Sequence, residues 1–78
     1  MKLFLISQTT NQDWDTYDAA VVAAETADEA KQIHPSGDYH PTYPDYRWVK
    51  PQDVVVRLVG EAVPGTEHGV VLASFNAG

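Results

Sequence analysis

Residues 2–9, KLFLISQT, start apolar on both parities and then turn polar, which predicts a strand. Its Leu3 and Leu5 fall on one face and its Phe4 and Ile6 on the other. Residues 9–18, TTNQDWDTYD, place an Asn and aspartates among turn-friendly neighbours and read as a long hairpin connection. Residues 19–24, AAVVAA, are a short apolar run that periodicity alone does not type. A helix start follows at once, so this run is read as a second strand. The start is TADE, residues 26–29. Thr26 can cap the helix with its hydroxyl, and Glu29 can reach back to the cap amide. Asp28 and Glu29 also suit the positive end of the helix dipole. Ala27, Ala30 and Ile33 give a thin apolar stripe, and Pro35 ends the helix near His34 after about two turns.

Residues 53–62, DVVVRLVGEA, alternate again, with Val54, Val56 and Leu58 on one face and Val55, Arg57, Val59 and Glu61 on the other. Residues 63–69, VPGTEHG, read as a turn. Residues 70–75, VVLASF, form the last strand, with Val71, Ala73 and Phe75 opposite Val70, Leu72 and Ser74. The pattern predicts one α+β domain over residues 1–78. Its order is ββαββ, a four-stranded, mainly antiparallel sheet with one short helix. The first and last strands are apolar on both faces, and such strands need cover on both sides. A two-turn helix covers part of one face. The second must be covered by residues 35–52, by another copy of the chain, or by both, so a homo-oligomer is expected.

The segment at 34–52 stands apart. Its HPSGDYHPTYPDYRWVKP holds prolines at 35, 41, 44 and 51 together with Tyr39, Tyr43, Tyr46 and Trp48. Disordered spacers are poor in aromatics, and prolines lower the entropy lost on ordering. The segment is therefore expected to be an ordered excursion packed on the domain. Two readings of its aromatics stay open. They can cap an undersized core with their polar edges in water. Alternatively Tyr43, Tyr46 and Trp48 can stack on a ligand while Arg47 and Lys50 meet its phosphates.

Charge and composition narrow the classes. The net charge of −6 disfavours broad binding to nucleic acid or anionic membranes. It permits an acidic surface that mimics nucleic acid. There is no cysteine, which excludes disulfides and thiolate metal sites. The apolar run from Leu3 to Ile6 is shorter than the roughly 7–15 residues of a signal-peptide core. No run approaches the roughly 20 residues of a membrane span.

Sites of chemistry are sparse. Asp13, Asp15 and Asp18 are close in sequence but lack the glycine and distal glutamate of a calcium loop. His34 and His40 match no common zinc spacing. Ser7, Ser36 and Ser74 have no nucleophile-elbow context. Asp38 and His40 could act as an acid–base pair, though such pairs arise in any chain of this composition. No metal ligand set, catalytic set or cofactor is assigned.

WDTYDAAVVAAETADEAKQIHPSG at 14–37, together with GVVLASFNAG at 69–78, resembles a family of small bacteriophage and prophage accessory proteins. The likeness runs over nearly the whole chain and carries no catalytic residue with it. It implies action in the cytoplasm of the host cell, and often the blocking of host defence. The expected function is a phage anti-defence protein that sequesters a small nucleotide-type immune signal without chemistry. Its ligand residues are expected to be Tyr43, Tyr46, Arg47, Trp48 and Lys50. The alternatives are an acidic inhibitor that binds a host defence protein directly, and a hydrolase of such a signal.

Overall fold

The β1 strand (Lys2–Ser7) lies at the middle of the sheet because apolar residues fill both of its faces. It pairs antiparallel with β2 (Thr16–Ala24), in register from Lys2 opposite Ala24 to Ser7 opposite Ala19. A short helix α1 (Ala27–Lys31), a 3₁₀ turn (Pro51–Asp53), β3 (Val55–Glu61) and β4 (Gly69–Asn76) follow. The computed structural model describes residues 1–10, 12, 14–37 and 47–76. Among these, four strands form one antiparallel sheet in the order β3-β1-β2-β4. The expected α+β, ββαββ architecture is the one found.

The strand order changes the meaning of residues 62–68. They do not close a hairpin, because β3 and β4 lie on opposite edges. The segment crosses the ends of both central strands, a lateral distance of about 14 Å at 4.8 Å per strand spacing. Seven residues span that distance with slack.

Three strands depart from simple alternation. In β3, a register shift skips Val59, setting Leu58 opposite Phe4 and Gly60 opposite Leu3, so Val59 and Glu61 do not continue the face of Val55 and Arg57 as alternation requires. In β2, a bulge at Asp18 lets Tyr17 pair with Phe75 while Ala19 pairs with Ser74. This bulge extends β2 back to Thr16, three residues before the expected start at Ala19. The chain enters through Asp15, whose φ of 63° suits an aspartate in the left-handed region. Its N–H donates to the Asn76 carbonyl at 2.7 Å. In β4, a register shift sets Val70 opposite Val22 and Leu72 opposite Val21. Val71 is the extra residue. Val70 therefore shares its face with Ala73, not with Leu72 as strict alternation requires.

One face of the sheet carries the core. Phe4 and Ile6 of β1 and Ala20, Val22 and Ala24 of β2 pack with Ala30 of α1 and with Trp48, Val49 and Val54. The helix lies over β3, β2 and β1. Its cap matches the sequence signal, since Thr26 Oγ1 accepts the Glu29 N–H at 3.2 Å. Glu29 Oε2 accepts instead from the N–H of Glu25, one residue before the cap, at 2.9 Å. The helix is shorter than two turns. Its exit tightens, with the amides of Gln32 and Ile33 reaching back three residues to the carbonyls of Glu29 and Ala30.

The other face holds Leu3, Leu5, Val21, Val55 and Leu72, by register. The described end of the excursion, Trp48 and Val49, joins the helix side. Val55 is 60% exposed and Leu72 70%. Toward the centre of this face Leu3, Leu5 and Val21 are half-buried and Ala23 is buried, so its exposure is greatest at the two edges.

Candidate ligand-binding cleft

The helix packs chiefly over β3, β2 and β1, and between its end and the start of β4 lies a cleft of about 600 Å³. Its first wall is the end of α1 and the chain beyond it, with Glu29, Gln32, Ile33, His34 and Gly37. Its second wall is the start of β4, with His68, Gly69 and Val70. Local sequence explains both walls. Pro35 stops the helix, and Gly37 takes a φ of 84° to turn the chain, its N–H donating to the His34 carbonyl at 2.9 Å. Gly69 enters β4 at a φ of 131°. A Cβ added at either glycine would meet no atom within 4 Å, so both open onto free space.

His34 is held in one orientation. It is 1% exposed. Its Nδ1 accepts the Ser36 N–H at 3.1 Å and lies 2.8 Å from Ser36 Oγ. A backbone N–H can only donate, so Nδ1 is the acceptor in that bond. The Tyr17 ring meets the imidazole edge-on at 6.0 Å and stacks, tilted, on Phe75 at 4.8 Å. This row of rings extends from the cleft wall to the end of β4.

The cleft offers mixed chemistry. Ile33 and Val70 supply apolar surface, Gln32 an amide, and His68 an exposed imidazole. The Glu29 carboxylate is engaged at the helix start. Among the described residues, no group of three or more His, Asp or Glu is placed to hold a metal ion. No described helix is long and apolar enough to cross a membrane.

The residues singled out from sequence fall in different places. Tyr43 and Tyr46 lie outside the described residues, as do Asp13, Asp38, Tyr39 and His40. Arg47 is half-buried and Lys50 exposed. Trp48 is 2% exposed and belongs to the core, so its ring has no open face for stacking. Its Nε1 is buried without a hydrogen-bond partner among the described residues. Gly37, which lines the cleft, precedes the segment that carries Tyr43 and Tyr46, and Arg47, which follows it, lies outside the cleft's described lining, with its carbonyl accepting the Tyr17 N–H at 2.8 Å. Sequence reasoning missed Gln32, His68, Ile33 and Val70. Nothing in the local pattern joins them, although the two left-handed glycines flank their segments. Comparison with family models, with curated proteins and with solved structures finds no match to this chain.

Proposed function

We propose that the protein binds a small nucleotide-type ligand without altering it, in the cleft between the α1 exit and β4. The observation that carries this reading is the cleft itself. Its volume of about 600 Å³ lies within the roughly 300–1,000 Å³ of small-molecule sites, and its lining mixes apolar walls with a few polar groups. Ile33 and Val70 suit the faces of a base, and Gln32 and His68 suit its polar edges. Arg47 and Lys50 flank the buried pair Trp48 and Val49 outside the cleft's described lining, and in this reading they reach the phosphates. Trp48 then anchors the cations, while stacking falls to Tyr43 and Tyr46. The resemblance to phage accessory proteins supplies the setting: a signal of host defence is sequestered in the host cytoplasm.

Titration calorimetry with cyclic dinucleotides and ADP-ribose derivatives tests this reading. Wild type is expected to bind one of these classes at 1:1 per site. Arg47→Ala is expected to weaken binding and flatten its salt dependence. The ligand should be recovered intact after heat denaturation, whereas a hydrolase would return products. If wild type binds none of them, the reading is lost. A protein inhibitor would instead capture a host partner.

A further inference from the structure

We infer that the open face of the sheet is closed by a second copy of this chain, packed face to face about a two-fold axis. This inference does not rest on the ligand reading. Leu3, Leu5, Val21, Val55 and Leu72 share that face across all four strands. Leu72 and Val55 sit at its two edges and are 70% and 60% exposed. Scattered exposed apolar residues are ordinary, but a contiguous set spanning a sheet marks an interface.

Charge selects the occupant. The chain carries a net −6, so two copies repel through most of their surfaces. No carboxylate has a paired register position among these residues, and Asp18 sits only at the neighbouring bulge. The acidic first turn of α1, Asp28 and Glu29, belongs to the opposite side. A basic partner would be drawn to that acidic side, whereas a second copy avoids carboxylate repulsion only through the face whose paired register positions hold no carboxylate. Arg57 is the cation on this face, and it lies on edge strand β3, where its long side chain can reach the rim with its charge in water.

Area sets the strength. Four strands of this length present roughly 20 × 20 Å, on the order of 400 Å² in projection. A standard interface takes about 800 Å² of accessible surface per partner. Side-chain relief raises accessible area above projected area, so the face suits a reversible dimer more than a permanent one.

The test is mass by light scattering across a dilution series, with Leu72→Glu and Val55→Glu compared with wild type. Wild type is expected to weigh twice the 8.6 kDa chain at high concentration and to dissociate on dilution. Each substitution is expected to raise the dissociation constant at least about tenfold, because it buries an unpaired charge. Both sites are more than half exposed in the single chain, so circular dichroism should be unchanged. A wild-type monomer at about 100 μM, far above the micromolar range of a reversible contact, overturns the inference. Sensitivity to Leu72→Glu alone also overturns it, since that pattern belongs to pairing through the β4 edge. Insensitivity to both does the same. Methyl chemical shifts of wild type on dilution give a readout free of mutation. They should move at Leu3, Leu5, Val21, Val55 and Leu72, and movement confined to other residues overturns the inference.

Discussion

The backbone N–H of Tyr17 donates to the carbonyl oxygen of Arg47 at 2.8 Å. This bond ties the returning end of the excursion to the first residues of β2, and the next residue, Trp48, enters the core. Trp48→Ala is expected to cost about 3–5 kcal/mol, comparable to what a core of this size supplies in total. Trp48→Phe should retain most of that stability. It shrinks the ring but also removes a buried Nε1 donor that has no partner among the described residues, and such donors cost roughly 1–3 kcal/mol. Urea unfolding followed by circular dichroism compares the two. Equal losses would mean that ring volume outweighs the stranded donor.

Thr26→Ala removes the acceptor of the Glu29 amide and should destabilise the protein by roughly 0.5–2 kcal/mol. Thr26→Ser keeps a capping hydroxyl and should recover most of the loss. Thermal melts of the three proteins decide it. An unchanged midpoint for the Ala variant would show that the hydroxyl does not stabilise the helix.

His34→Leu preserves bulk but leaves the Ser36 amide without its Nδ1 acceptor. The expected loss is about 1–3 kcal/mol. His34→Asn can offer an amide oxygen near the same position and should lose less. The order of urea midpoints, wild type then Asn then Leu, is the outcome to look for; Leu equal to or above Asn would contradict the hydrogen-bond account.

Gly37→Ala meets no steric obstacle, yet Gly37 sits at a φ of 84°. An L-residue there should be destabilised by about 1–2 kcal/mol. The same substitution reshapes the cleft mouth, so calorimetry with a bound ligand reads a second effect on the same protein.

Much of the fold was legible in local pattern. TADE marked the cap, and alternation in residues 54–57 separated buried Val54 and half-buried Val56 from exposed Val55 and Arg57. The bulge at Val71 was not legible, because a run such as VVLASF is apolar on both parities and gives no sign of a skipped residue. Nor was the strand order. Pro64 and Gly65 look the same in a hairpin turn as in a crossing over two strands. Trp48 was ambiguous for a different reason. A tryptophan between two cations has the composition of a binding site, and only its tertiary neighbours put it in the core. The cleft was illegible because it is assembled from segments that sequence keeps well apart, at 29–37 and 68–70.

The placement of β4 beside β2 has a kinetic consequence. The β1–β2 hairpin closes a short loop, but the partners Thr16 and Asn76 are separated by most of the described chain. Pairings this remote require a long loop to close before any bond rewards it, and they slow folding. The hairpin should therefore form in the folding transition state, with the outer β4 ladder zipping afterwards. Substitutions in β4 would then act mainly by hastening unfolding, and those at the Phe4–Val22 pair by slowing folding. Chevron plots of Ala73→Gly and Val22→Ala would show opposite arms moving, making the lifetime of the folded chain a property set chiefly at its β4 edge.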